Sequence, residues 1–374
     1  MTRVLNILSD TNVGGAGRVI LNYLRYSDTS RFETLVALPR GGLLKSPLEE
    51  AGARVLEVDG IADRSFHRDD VRLLKELLRR EKPDLVHTHG CLSGRIAAKA
   101  CRIPVVYSRH SAFPVPGKLR YPPGRWINKL VNEHYADQII AVSPAARDNL
   151  VQGGVSPKKI TVVMNGVAPM PAAADEERKA ALAELSIPEE AVVFGIIARL
   201  EEYKGHLDLV EAVRQLKERG KGERFVVLVA GTGPFEKTLA RAVEETGTED
   251  VIRLLGFRSD VNRLLSLMDV QLNCSYGTEA TSLALLEGMS AALASVVSDY
   301  GGNPWVVQDG VNGLVYPTRD TDALARAMEQ LMDDLDECAQ MGRRARTIYE
   351  ERFTGEAFAQ NIENIYLNTL KGAQ

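Results

Sequence analysis

The chain has 374 residues, 45% of them hydrophobic and 26% charged, with Gly 31 and Pro 16 scattered without period. That length points to two domains, and that apolar content excludes a disordered, collagen-like or low-complexity chain. A formal net charge of -4 hides an asymmetry: residues 1–170 carry 25 Lys+Arg against 16 Asp+Glu, and residues 171–374 carry 21 against 34. The first half suits an anionic partner, with nucleic acid, an anionic membrane surface and a phosphorylated acceptor as candidates beside plain solubilising charge.

No stretch approaches the roughly 18 apolar residues of a membrane span, and MTRVLNILSDTN lacks the pattern of a secretory leader. Cys91, Cys101, Cys274 and Cys338 are far apart and form no CxxC. Reduced thiols in a cytoplasmic protein are expected.

In chain order, β-type apolar runs fall at 4–9, 34–38, 55–58, 85–88, 105–108, 138–142 and 160–164. Helical patterns lie between most of them, as at 69–80 and 93–100. After Pro169 a linker passes into a helix, and a second round of runs follows at 192–197, 225–230, 252–255, 270–273, 295–298 and 313–316. Periodic helices at 323–333 and 355–370 close the chain. Strands alternating with helices predict parallel sheets covered on both faces, with ligands at the carboxyl ends of the strands. The expectation is an α/β protein of two doubly wound, Rossmann-like domains, at 1–170 and 171–354, with a C-terminal helix over 355–374 that packs back toward the first.

Three places carry chemistry. Gly14-Gly15-Ala16-Gly17 joins the first strand to a helix, where backbone N–H groups and the helix dipole suit a phosphate; a tight turn without ligand is an equal reading. It lacks the third Gly, and the second strand ends Ala37-Leu38-Pro39-Arg40 without an acid, which argues against a nicotinamide oxidoreductase. Arg199 at a strand end and Lys204 before the next helix pair a planar fork of donors with a point charge, suited to a diphosphate; two solvated surface cations are the plain alternative. Glu279 and Glu287 flank a helix start and could grip separate hydroxyls of one ligand, or simply stand exposed there. Asp320-Thr321-Asp322 reads as an N-cap, Asp334-Leu335-Asp336 as a solvated helix end, and His87-Thr88-His89 as two histidines on one strand face, so no metal site is expected.

The order of these pieces resembles the retaining glycosyltransferases of the GT-B fold, family 4 or "group 1". The matching segments are Gly14-Gly15-Ala16, Asp84-Leu85-Val86-His87-Thr88-His89, Ser108-Arg109-His110, Met164-Asn165-Gly166-Val167, Arg199 with Lys204-Gly205, Gly231-Thr232-Gly233-Pro234 and Leu255-Gly256-Phe257-Arg258. The E-x7-E pair Glu279/Glu287, Gly301-Gly302-Asn303-Pro304 and Asp309-Gly310-Val311-Asn312-Gly313 complete the set. The resemblance implies two domains facing each other across a cleft. It also implies a metal-independent, cofactor-free transfer of a sugar from a nucleotide-diphosphate donor, UDP being the commoner nucleotide, to a glycan or lipid-linked acceptor of envelope or exopolysaccharide synthesis. Arg199 and Lys204 would hold the donor diphosphate, Glu287 the ribose, and Glu279 the transferred sugar. N–H groups of Thr281, Ser282 and Leu283 would meet the distal phosphate, with Gly15 and Ala16 across from it. His110 would lie near the sugar, and Phe257 and Arg258 would line the base pocket. Ala280, residues 290–294 and Trp305 depart from the usual pattern, which bears on the donor sugar. A non-catalytic glycan-binding protein or a sugar-nucleotide epimerase on the same fold is the competing reading, and no compact nucleic-acid motif is found.

Residues 112–129, AFPVPGKLRYPPGRWINK, mix Lys118, Arg120, Arg125 and Lys129 with Phe113, Tyr121 and Trp126. Four prolines predict a loop here. Its composition suits peripheral contact with an anionic membrane surface, on the inner face of the cell membrane for a cytoplasmic protein, with an ordinary basic loop as the alternative.

Overall fold

The computed structural model describes residues 1–12, 14–171 and 175–372. It divides into two compact units: Met1–Val167 together with the chain from Phe353 onward, and Ala168–Arg352. The expected linker after Pro169 lies partly outside the described residues.

The first unit is built on seven strands: β1 (Thr2–Leu8), β2 (Phe32–Pro39), β3 (Arg54–Val58), β4 (Leu85–His89), β5 (Val105–Arg109), β6 (Gln138–Ala141) and β7 (Ile160–Val162). All pair in parallel, in the order β3-β2-β1-β4-β5-β6-β7, with Leu5 of β1 beside Leu35 of β2 and Val86 of β4. The second unit holds β8 (Val192–Ile197), β9 (Phe225–Ala230), β10 (Ile252–Gly256), β11 (Val270–Asn273), β12 (Ala294–Ser298) and β13 (Gly313–Tyr316), in the order β10-β9-β8-β11-β12-β13. Strand order reverses between β1 and β4 in one sheet and between β8 and β11 in the other. Those switch points are where doubly wound sheets bind ligands.

Both sheets are covered on both faces, so a central strand such as β9 is apolar and buried throughout instead of alternating, while the edge strands β3, β7 and β10 are partly exposed. In the second unit Phe194 and Val227 point into one layer, with Leu209, Val213, Leu324 and Met328. Their neighbours Val193 and Leu228 point into the other, with Leu264, Leu265 and Met268. In the first unit Leu5, Ile7, Leu35, Leu74, Leu78 and Val86 form one such layer. The last helix, Gly355–Gly372, belongs to this unit. Val167 N–H donates to the Phe353 carbonyl at 3.1 Å, which brings the chain back. Tyr366 then packs among Tyr23, Phe32 and His87, and Glu363 accepts from the Asp28 N–H at 2.7 Å.

The basic segment departs from its sequence reading. Gly117–Arg120 and Gly124–His134 are helices, not loop. Pro116 and Pro123 sit at the N-caps, where a missing N–H breaks no helical hydrogen bond, so these prolines start helices instead of preventing them. Asp334 also differs: its carboxylate accepts from the Glu337 N–H at 2.9 Å, capping the helix Leu335–Arg352 instead of lying free. Asp320 caps Thr321–Asp333 through the Ala323 N–H at 2.8 Å. All four cysteines are free thiols.

Candidate functional site

In the second unit the site grows from the ends of β8 and β11. After β8 the chain turns through Arg199-Leu200. The Gly231–Pro234 turn that follows β9 seats against it, the Leu200 N–H donating to the Thr232 carbonyl at 3.0 Å. Arg199 stays 64% exposed, its Nε 3.1 Å from Glu201 Oε1. A short 3-10 turn, Glu202–Lys204, ends on Gly205, whose positive φ of 73° and collision course with the Cys274 carbonyl both require glycine. That contact presses the Lys204 turn against the loop leaving β11.

Glu279 sits on this loop, buried, with Oε2 2.6 Å from Lys204 Nζ. Ser275 Oγ donates to the same oxygen at 3.0 Å, and Asn273 Nδ2 stands 3.5 Å away. Burial pushes the carboxyl up, but the Lys204 charge and hydrogen bond, with Ser275 and Asn273, outweigh it and hold Glu279 below the ordinary value of 4.5. The glutamate is therefore ionised and its partner fixed. The loop is pinned from behind by β12. Ser298 Oγ donates to the Ser275 carbonyl at 2.5 Å, and the Gly302 N–H to the Glu279 carbonyl at 3.0 Å. A side chain at Gly302 would strike the Ala280 carbonyl.

Thr281 and Ser282 lead into the helix Leu283–Ser290, where Ser282 Oγ accepts from the Leu285 N–H at 3.3 Å. The positive end of this helix thus opens beside the Glu279 loop. Glu287 is half-buried one turn further on. Phe257 and Arg258 follow β10 at the sheet edge: Phe257 is exposed, and Arg258 donates through Nε and Nη2 to the two carboxylate oxygens of Asp260, at 2.8 and 2.6 Å. His206, next to the Lys204 turn, is held down to about 4 by burial and then by the Lys204 charge.

The remaining residues singled out by sequence lie in the first unit. Gly15 and Ala16 open the helix Gly15–Tyr26, with no atom near the position of a Gly15 side chain. His110 follows β5 and joins a buried network that sequence reasoning did not assemble. His110 Nε2 lies 2.8 Å from His89 Nδ1, and His89 Nε2 lies 3.0 Å from Asn6 Oδ1. With the amide oxygen as acceptor, His89 donates through Nε2 and accepts from His110 through Nδ1, leaving His110 Nδ1 as that ring's acceptor. His87 bonds Tyr366 Oη at 2.8 Å and Ser108 Oγ at 2.7 Å. Burial drives His87 down to about 3 and His110 to about 4, and puts His89 well below 6.5; neighbouring His and Arg109 charges add to it. Period-two spacing placed His87 and His89 on one face, but Asn6, Asn273 and Ser275 gave no signal beyond their positions at strand ends. Among the described residues, no three His, Cys, Asp or Glu side chains gather where they could hold a metal ion.

Two family models match this architecture unit by unit: "Glycosyltransferase Family 4" over residues 13–169 and "Glycosyl transferases group 1" over residues 177–348. The chain belongs to the group 1 glycosyltransferases, enzymes that transfer sugars, and has their two-domain Rossmann-like GT-B fold. It is 27% identical over 307 residues to a D-inositol 3-phosphate glycosyltransferase of Corynebacterium kroppenstedtii, covering 77% of this chain and 67% of that one. It is 26% identical over 347 residues to the UDP-Gal:alpha-D-GlcNAc-diphosphoundecaprenol alpha-1,3-galactosyltransferase of Escherichia coli, covering 86% of each. Among solved structures, Anabaena HepE in complex with UDP and glucose superposes with a TM-score of 0.84 at 22% identity, over 98% of this chain and 99% of that one.

Proposed function

We propose that the protein moves a sugar, with retention of configuration, from a nucleotide-diphosphate sugar, best a UDP-sugar, to a hydroxyl of a glycan or lipid-linked acceptor in envelope or exopolysaccharide synthesis. It works in the cytoplasm, without a metal ion. The observation that carries this reading is the Lys204–Glu279 pair at the switch point of the second sheet, beside exposed Arg199 and a helix N-terminus. Arg199 and Lys204 bind the donor diphosphate. As the anomeric carbon–oxygen bond breaks, the negative charge gathering on the leaving phosphate is met by cations that need not move. The departing phosphate oxygen takes the proton of the acceptor hydroxyl, whose oxygen forms the new bond on the same face of the sugar.

Glu279 does two things in this account. It fixes the Lys204 ammonium, and its other oxygen is available to a sugar hydroxyl. Glu287 binds the ribose, N–H groups of Thr281, Ser282 and Leu283 take the distal phosphate, and Phe257 and Arg258 line the base site. In the first unit His110 contacts the sugar, and Gly15 and Ala16 the phosphate. The reading is supported by the relatives' printed activities, one of which uses UDP-Gal and a lipid diphosphate, and by the UDP complex of a protein with this fold.

A melting-temperature screen in EDTA tests it. UDP or GDP at about a hundred times its Kd should stabilise the protein by about 2.7 kcal/mol, and the matching donor should be consumed when acceptor is added. A protein whose melting responds to no nucleoside diphosphate refutes the reading.

A further inference from the structure

We propose that the helix Gly124–His134 and the turn before it dock this protein on the surface of an anionic lipid bilayer. A surface helix ordinarily buries its apolar stripe and shows its polar one. This helix is inside out. Its buried face is polar: Asn132 Oδ1 accepts from Arg95 Nη1 at 3.0 Å, and Asn132 Nδ2 donates to the Asn128 carbonyl at 2.8 Å. Asn128 Nδ2 donates to the Gly153 carbonyl at 2.8 Å, and Glu133 accepts from the Ser156 N–H at 2.7 Å. The outer face carries Trp126, Ile127 and Leu130, exposed by 67%, 59% and 68%, with Tyr121 at 71% just ahead of the helix. The polar anchors fix which side faces out, so the apolar face is held in solvent by design of the sequence.

Charge selects the occupant. From residue 85 to residue 132 the chain has no Asp or Glu and eight Lys or Arg. Lys118, Arg120, Arg125 and Lys129 surround the apolar face, are exposed, and have no ion-pair partner among the described residues. A second copy meeting this face would oppose like charges. A bilayer satisfies both features at once: Trp126, Ile127, Leu130 and Tyr121 enter the boundary between headgroups and acyl chains, and the four cations meet anionic headgroups. This surface lies wholly in the first unit and is independent of sugar transfer by the second. No helix among the described residues is long and apolar enough to cross a membrane, so the contact is one of lying on the surface.

The test uses the full chain carrying Trp305→Phe, which leaves Trp126 as its one tryptophan. Co-sedimentation and tryptophan emission are followed with phosphatidylglycerol/phosphatidylcholine vesicles and with phosphatidylcholine alone. Expected are binding and a blue-shifted emission on the anionic vesicles, and at least about tenfold weaker binding without anionic lipid. Trp126→Ser/Ile127→Ser/Leu130→Ser should weaken binding about a hundredfold, and each cation changed to Gln about fivefold, with melting unchanged because these side chains are exposed. Failure to bind anionic vesicles overturns the proposal, as does equal binding by the triple variant. Self-association of the wild type that the triple variant abolishes, seen by sedimentation velocity, gives the face to a second copy and also overturns it.

Discussion

At the switch point of the first sheet, three imidazoles are held neutral, His89 bonded to His110 and Asn6 and His87 bonded to Tyr366 and Ser108; at that of the second, a lysine and a glutamate face each other as ions. The two units share parallel strands, covering helices and glycine-rich turns. What differs is which charge the surroundings tolerate. In the first unit burial acts on His87, His89 and His110 with no carboxylate to offset it. In the second, Lys204 offsets the burial of Glu279. The same architecture thus yields one site that orients neutral hydrogen-bonding groups and another that presents fixed charge, and only the latter suits a leaving diphosphate.

The sharpest way to break that contrast is Lys204→Ala. It should cut the transfer rate about a hundredfold or more, about 2.7–4 kcal/mol of barrier, in a steady-state assay at saturating donor. Near-normal turnover would remove the second unit's claim to the leaving group. The same variant leaves Glu279 buried and unpaired. Losing one partner of a buried pair costs about 3–5 kcal/mol, and the exposed fifth of Lys204 reduces this to about 2–4 kcal/mol. Lys204→Ala/Glu279→Gln should recover most of that stability in denaturant unfolding without recovering activity. Recovery of both would make the pair structural.

Acid should separate the two units. The first unit's histidines have folded pKa values below the 6.5 of the ordinary group, about 3 for His87 and about 4 for His110. The unfolded chain therefore binds more protons between those values and 6.5. Stability is full above 6.5 and falls as the pH drops toward 4, by about 2 kcal/mol between pH 6.5 and 5 for one such imidazole. Glu279 acts lower: its contribution is present above 4.5 and is lost only as the pH falls through its lowered folded value. Imidazole proton resonances followed from pH 7.5 to 5 check this. Titration of His87 or His110 near 6.5 would mean they are not the neutral network described. The smallest effect lies away from both sites. Asp320→Ala should cost about 1 kcal/mol of stability through its lost N-cap and leave transfer unchanged, whereas a Mg²⁺-dependent loss of activity would reopen Asp320-Thr321-Asp322 as a metal motif.

The strands were legible because parallel strands buried on both faces read as unbroken apolar runs: β8, β9, β11 and β13 fall where Val192, Phe225, Val270 and Gly313 begin such runs. The helix Gly124–His134 was not, because its apolar residues face solvent and prolines precede it, so the usual amphipathic pattern is inverted. Within the site, Lys204 and Glu279 were legible as residue types in a family pattern. Their direct bond spans 75 positions and depends on Gly205 packing against Cys274, which no local spacing reveals. His110 was visible for the same reason, but Asn6, which orients it through His89, came from a strand at the other end of the domain's sequence.

The most direct measurement is a calorimetric titration of UDP into three proteins: wild type, Arg199→Ala/Lys204→Ala, and His110→Ala. Diphosphate binding by the second unit predicts at least about a tenfold loss of affinity in the double variant, since each charge-assisted contact is worth about 1.5–3 kcal/mol, and near wild-type affinity in the histidine variant. Unchanged affinity in the double variant, or a loss confined to His110→Ala, would contradict the account.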